Sequence, residues 1–346
     1  MTHTLLLGDC LQRMEEIPSG SVDMVMTDPP YGTTQCKWDT IIPLEPMWEQ
    51  LKRVTKPNSA IVLMASQPFT SVLVCSNLRM FRHEWVWVKN RGSNFLNTAR
   101  EPMKEHETLS VFSLGDWTYN KQLQARGGGG VDLVGKLVPC KSDSENYGNY
   151  TSYEKTLSEL RVPSSLQKFN TSTGAEKVGH STQKPVALME YMIKTYSNPG
   201  ETVLDFTMGS GTTGVACINL NRNFMGIEKS SEYFYMAKHR INQAIHGAEN
   251  LPPTLFLVVS QSGELITHCH NIVELFRLRE VKQSHDANVF RYLPTNKQFD
   301  LFATWDKENL KWVIGSEDGG IGFEQVSYQQ FQAAHNMLLK LKELKL

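Results

Sequence analysis

Two short runs hold the residue types most able to do chemistry together. The first is Asp28-Pro29-Pro30-Tyr31. A carboxylate and a proline-fixed carbonyl make two adjacent hydrogen-bond acceptors, and an aromatic ring follows two residues later. That set suits a planar amine, whose N–H protons the acceptors take while the ring stacks on its face. A Pro-Pro turn beside a tyrosine is also, by itself, an ordinary turn. The second run is Gly209-Ser210-Gly211-Thr212-Thr213-Gly214, which fits G-x-G-x-x-G, and the acid Glu228 closes the next apolar run. Glycines there let the backbone approach a ligand, and the acid can accept hydrogen bonds from two ribose hydroxyls. A dinucleotide such as NAD meets this much of the pattern. Asp205, four residues before Gly209, adds a negative charge that suits a cation such as S-adenosylmethionine better than a pyrophosphate. The loop alone leaves both ligands open, and a bare strand-to-helix turn is the plain alternative.

The elements around these runs must hold them at strand ends. Residues 4–7 read as a strand, apolar positions at 11, 14 and 17 recur at helical spacing, and 21–27 form a second strand that the two prolines stop at Asp28. Helical patterns at 44–54 and 68–78 alternate with apolar runs at 60–65 and 83–88. Alternation of this kind predicts an α/β fold, a sheet covered by helices on both faces. Between 119 and 179 the pattern dissolves into Gly, Ser, Asn, Thr and Lys, with four glycines at 127–130 and a Ser/Asn/Tyr-rich stretch at 142–153. A loop this long inside a domain is usually functional or mobile. A helix over 184–196, a strand over 202–206, a helix over 212–220, a strand over 223–227 and a helix over 231–244 then follow. Leu251-Pro252-Pro253 marks a boundary, beyond which β-like runs at 255–259, 299–305 and 311–315 and a Leu-rich helix at 329–346 predict a small α+β appendage. The expected organisation is 1–118 with 180–247 as the catalytic domain, 119–179 as an inserted recognition region, and 251–346 as a small C-terminal domain.

The run Asp28-Pro29-Pro30-Tyr31, taken with Leu204-Asp205-Phe206-Thr207-Met208-Gly209-Ser210-Gly211-Thr212-Thr213 and His180-Ser181-Thr182-Gln183-Lys184-Pro185, resembles the amino-methylating DNA methyltransferases. With the chemical motif first and the glycine loop last, the order is similar to their beta group, a circular permutation of the usual methyltransferase order. Gly8-Asp9-Cys10-Leu11 and Gly226-Ile227-Glu228 also match family positions, so the likeness spans residues 4–243. The resemblance implies a Rossmann-like sheet that uses S-adenosylmethionine to methylate N6 of a flipped-out adenine at particular sites in double-stranded DNA. Cytosine N4 and, further off, an RNA amine are the alternatives within that chemistry; the leading Asp of the Pro-Pro-Tyr motif favours adenine. It also implies that Asp205, Phe206, Gly209 and Gly211, with Ser210 and Thr212 in the same loop, hold the methionine part of the cofactor. Glu228 would bind the ribose, Asp9 would lie near the adenine, and Gln183, Lys184 and Pro185 would close the pocket. Phe206-Thr207 departs from the Pro-Phe or Phe-Phe common after the loop's aspartate.

The mechanism of the first run follows from its own chemistry. An exocyclic amine on an aromatic base has a delocalised lone pair and is a poor nucleophile. Acceptance of its two N–H protons by Asp28 and the Pro29 carbonyl would concentrate that pair on nitrogen, after which transfer needs positioning and electrostatic support. A base inside a duplex must first be flipped out, and Tyr31 would stack on it. Cytosine-C5 chemistry needs a cysteine nucleophile, and Pro139-Cys140 lies in the irregular segment, outside any strand-end motif. His268-Cys269-His270 alternates across a strand and lacks a second ligand pair, so no metal is expected. An NAD-dependent oxidoreductase would leave 28–31 without a purpose. A DNA-binding protein with a decayed methyltransferase core is opposed by the intact Asp28.

Charge places any nucleic-acid contact locally. The 346 residues carry 35 Lys+Arg against 36 Asp+Glu, a net charge of −1, which excludes a polycationic coat. Residues 79–104 hold six basic side chains, among them Lys89, Arg91 and Arg100, against Glu84 and Glu101, a candidate phosphate track. The appendage beyond 251 is nearly balanced, and its aromatic and Leu-rich faces suit either packing or a homodimer. No run approaches the ~20 apolar residues of a membrane span. The six cysteines form no CxxC pair, and the first residues lack the pattern of a secretory leader, so the expected setting is the cytoplasm, and the family resemblance implies a bacterial or phage-encoded protein.

Overall fold

The computed structural model describes residues 2–36, 38–126, 134–140, 153–173 and 182–246, together with five strands between 255 and 314. The strands are β1 (His3–Leu7), β2 (Val22–Thr27), β3 (Thr55–Ala65), β4 (Phe81–Ser93), β5 (Lys104–Phe112), β6 (Gln124–Ala125), β7 (Leu137–Cys140), β8 (Tyr153–Thr156), β9 (Leu160–Arg161), β10 (Leu166–Lys168), β11 (Thr202–Asp205) and β12 (Asn223–Glu228). Six helices, α1 (Cys10–Met14), α2 (Leu44–Val54), α3 (Phe69–Ser76), α4 (Val186–Tyr196), α5 (Thr212–Asn219) and α6 (Ser231–His246), complete this part. The principal sheet has the order β1-β12-β11-β2-β3-β5-β4-β10, and within it β5 alone runs against its neighbours.

Sequence pattern explains the layers. In α2 the apolar residues Met47, Trp48, Leu51 and Val54 recur at three- and four-residue spacing and are the buried face. Residues 60–65 of β3 are apolar without alternation because both faces of a central strand are covered. One core, with Met14, Trp48, Leu51 and Phe69, lies under α1, α2 and α3. The other, with Met192, Tyr196, Ala216 and Phe234, lies under α4, α5 and α6. The α/β expectation therefore holds as a three-layer sandwich. From β11 the chain crosses through α5 to β12 on one side, and from β2 it crosses through α2 to β3 on the other. The adjacent ends of β11 and β2 thus form a switch point, the place where such sheets bind ligands.

β5 lacks the sequence signature of a strand. Its first residues, Lys104-Glu105-His106-Glu107, are all polar, and only its second half alternates as strands do. The expected insert, 119–179, is anchored at both ends in the sheet domain. Asn120 Nδ2 donates to the carbonyls of Lys194 and Ser197, β10 pairs with β4, and Phe169 packs on Tyr191. The glycine run 127–130, the stretch 142–152, the boundary at 251–253 and the helix at 329–346 lie outside the described residues. Beyond that boundary β13 (Leu255–Ser260), β14 (Leu265–Cys269), β15 (Ala287–Leu293), β16 (Gln298–Asp306) and β17 (Lys311–Ile314) form an antiparallel sheet, of which three strands match the runs read from sequence. Among the described residues no helix is long and apolar enough to cross a membrane.

Candidate active site

A cavity of about 580 Å³ opens over the ends of β1, β2, β11 and β12. Asp28, Pro29, Pro30 and Tyr31 line it on one side, and Asp205, Phe206, Gly209, Ser210, Thr212 and Glu228 on the other. Asp9, Gln183 and Lys184 complete the wall. Residues scattered from 9 to 228 in sequence therefore share one space because parallel strands end on the same edge. Two of the expected residues do not line it. Pro185 caps the start of α4 instead, and Gly211 faces α6, where a Cβ would come within 2.8 Å of Ala237 Cβ. At φ +77° Gly211 also occupies the left-handed region that side chains resist.

Each acid in the wall has its own hydrogen bonds. Glu228 Oε2 accepts the Gly209 N–H at 2.9 Å and Oε1 accepts the Ser230 N–H at 2.7 Å, so the carboxylate fixes the glycine loop and keeps a lone pair on each oxygen for two further donors. Burial raises its pKa, against those backbone donors. Asp205 is buried behind the loop. Its Oδ1 accepts from the Thr27 hydroxyl at 2.6 Å and the Thr207 N–H at 3.1 Å, and its Oδ2 accepts from the Thr213 hydroxyl at 2.6 Å. Burial lifts its carboxyl to about 6 even so. Thr207, the departure from the family pattern, sets its hydroxyl 2.6 Å from that of Thr27 and 3.2 Å from the Asp28 carbonyl, so it joins the two motifs across the switch point.

The surroundings of Asp28 differ from the sequence reading at Lys184 and Lys89. Lys184, expected beside the cofactor, lies 2.6 Å from Asp28 Oδ2 and 3.4 Å from Glu107 Oε2. Lys89, expected on a phosphate track, is only 7% exposed at its side chain and pairs with Glu107 Oε1 at 3.3 Å. Its ammonium is withdrawn from the surface, so it does not present a charge to a duplex. Burial alone would favour neutral Lys184; Asp28 and then Glu107 reverse this and hold it protonated. Burial likewise opposes the charge on Glu107, but Lys184 and Lys89 keep its pKa below the ordinary value. Tyr31 donates its hydroxyl to Asp28 Oδ1 at 2.5 Å, and its ring stacks on Phe69 at 5.5 Å. One face of the ring is thus already covered. Arg91 and Arg100 are exposed near the tip of the β4–β5 hairpin, beside Phe95 and Leu96, which are 70% and 83% exposed.

Three contributors were not singled out from sequence. Arg240 of α6 donates to the carbonyl and hydroxyl of Ser210 and to the Thr212 hydroxyl, and so braces the glycine loop from behind. Nothing in a helix's spacing marks such a residue. Asp39 accepts the N–H groups of Gly32, Thr33 and Thr34 and folds the segment after Tyr31 over the cavity, where Trp38 and Ile41 line it. Burial raises its pKa, but these donors bring it below the usual range. An Asp within a Gly/Thr-rich stretch is a turn signal that could have been read. Glu107 was hidden with β5.

The sequence profile of the DNA methylase family matches residues 22–239. The chain is similar to the DNA adenine methyltransferase YhdJ of Escherichia coli, 30% identical over 72% of this chain and 86% of that protein. It is also similar to the Type II methyltransferase M.HpaI of Haemophilus parainfluenzae, 27% identical over 72% of this chain and 78% of the relative. Among solved structures, PvuII DNA methyltransferase (cytosine-N4-specific) shares the fold at a TM-score of 0.50 and 15% identity, covering 71% of this chain and 94% of that one. The M1.HpyAVI-SAM complex is 28% identical, with a TM-score of 0.48, over 70% of this chain and all of the other.

Proposed function

The chain belongs to the N6/N4 DNA methylase family, and from that premise we propose that it methylates N6 of adenine in double-stranded DNA with S-adenosylmethionine as methyl donor. One observation carries the reading: the amine-accepting set at 28–31 and the glycine loop with Glu228 face each other across a single cavity. The residues suit the cofactor. Glu228 keeps acceptor capacity for a ribose, Asp205 supplies negative charge behind the loop, and Asp9 stands at the adjoining strand end. S-adenosylmethionine, when bound there, supplies an electrophilic methyl group.

The remaining work falls to this chain. Asp28 and the Pro29 carbonyl would accept the two N–H protons of the target amine, which concentrates the lone pair on nitrogen. The amine sheds one proton as it gains the methyl group, and Asp28, whose pKa burial raises against the pull of Lys184, is placed to take it. Tyr31 offers the flipped base a ring face, while Arg91 and Arg100 offer charge to the backbone. Adenine is favoured over cytosine N4 by the leading Asp of the Pro-Pro-Tyr motif and by the adenine methyltransferase relative.

The test is to incubate duplex DNA of random sequence with labelled S-adenosylmethionine, identify the modified nucleoside and map the sites. N6-methyladenine is expected. N4-methylcytosine would keep the mechanism and change the substrate, and label confined to RNA or protein would overturn the DNA reading.

A further inference from the structure

Both oxygens of Asp28 are already engaged, Oδ1 by the Tyr31 hydroxyl and Oδ2 by Lys184. Each oxygen keeps a second lone pair for an arriving amine, but the ammonium against Oδ2 draws charge from the carboxylate and weakens it as an acceptor and as a proton holder. Tyr31 is neutral and sits in the same short turn as Asp28, whereas Lys184 is a cation that comes from the start of another element; both have a second carboxylate within reach. That carboxylate, Glu107, binds Lys89 through Oε1, while its Oε2 is buried and makes no hydrogen bond among the described residues, although the Lys184 ammonium is 3.4 Å away. The four groups form an alternating row, Asp28, Lys184, Glu107, Lys89, with one cation shared between two anions. A shift of the ammonium by about an ångström would exchange the near and far partners, since charge-assisted N–H···O contacts settle near 2.8 Å.

Resting on the amine-methylation reading above, we infer that Glu107 is a positioning residue that provides the second seat for Lys184, which leaves Asp28 for Glu107 as the target amine arrives. The exchange keeps every buried charge paired at each stage, where a lysine with Asp28 as its only partner would be stranded once displaced. It also changes Asp28 at the useful moment. With its nearest cation moved away, the carboxylate becomes a better hydrogen-bond acceptor and a better home for the proton that the methylated amine releases. The antiparallel course of β5 makes this possible, because its first half lies at the edge where β2 ends.

A double-mutant cycle on the full chain tests the assignment, with kcat and KM for duplex DNA measured at saturating S-adenosylmethionine and cofactor binding by calorimetry as the check on folding. Glu107→Gln should lower kcat by about tenfold or more with KM for DNA within about threefold, because the duplex is held elsewhere. Glu107→Asp, which keeps the charge, should recover much of the loss. In a Lys184→Met background, where no ammonium needs a second seat, Glu107→Gln should have no further effect on kcat. If Glu107→Gln abolishes cofactor binding, Glu107→Asp replaces it in the cycle, with a smaller loss expected in the parent and again none in Lys184→Met. Three outcomes overturn the inference: an unchanged kcat in Glu107→Gln, an equal loss in both backgrounds, or no turnover at all in Lys184→Met. Absence of methylated adenine from the parent enzyme would instead overturn the underlying reading, so the two failures are separable.

Discussion

Asp28 and Tyr31 touch each other, yet their substitutions should have different signatures. Asp28→Ala is expected to abolish methyl transfer while calorimetric S-adenosylmethionine affinity stays close to that of the parent, since the Asp28 carboxylate bonds to Tyr31 and Lys184 and not to the glycine loop, and the backbone carbonyl that Thr207 reaches is kept. Near-normal turnover would refute the assignment. Tyr31→Ala should lose about 1–3 kcal/mol of stacking, read as kcat/KM on duplex DNA, and Phe should restore most of it because the ring still packs on Phe69. Asp205 makes a prediction in pH. Its carboxyl titrates at about 6, so affinity for the cationic cofactor should fall as pH drops from 7.5 to 5.5. Asp205→Asn should be weak at both values and flatten the dependence. The sign for stability is opposite. A raised carboxyl pKa favours folding below the unfolded value and loses that advantage as pH rises through about 6, so at pH 7.5 the Asn variant should melt higher, by at most about 3 kcal/mol in stability.

At the scale of elements, the glycine loop depends on how closely α5 approaches α6. A side chain at Gly211 would meet Ala237 at 2.8 Å and hold an unfavourable φ, so Gly211→Ala should cost about 2 kcal/mol or more in a denaturant melt and weaken cofactor binding. An unchanged melt would mean that the two helices separate without penalty. The β4–β5 hairpin is the other element with a distinct expectation. Exposed Arg91 and Arg100 should each, when replaced by Ala, weaken duplex binding and reduce its salt dependence by about one ion, whereas Lys89→Ala should impair turnover rather than the salt slope. Sequence alone grouped these three cations because they are close along the chain. The pleat and the Glu107 contact divide them, and neither is visible until β5 is recognised as a strand.

For the whole molecule, the irregular segment is the best candidate for reading the DNA site, but its ends belong to the catalytic body. Replacement of residues 127–157 by a neutral linker should alter site preference in a methylation-mapping assay before it alters cofactor affinity. Replacement of the full 119–179 should unfold the domain edge, because Asn120, β10 and Phe169 are built into it. Unchanged preference in the shorter variant would move recognition to the hairpin or to the strands beyond 255. Much of the plan was legible from sequence. The β/α alternation, the prolines that stop β2 at Asp28, the glycine loop after β11 and the acid ending β12 are local signals, because strand ends and tight turns are dictated by the residues that form them. Tertiary structure alone decided what the polar side chains touch. Lys184 meets Asp28, Glu107 joins Lys184 to Lys89, Arg240 braces Ser210 and Thr207 spans two motifs through contacts between residues far apart in the chain. Such partners are selected by the order of strands in the sheet and by the direction of β5, and no periodicity along the chain records either.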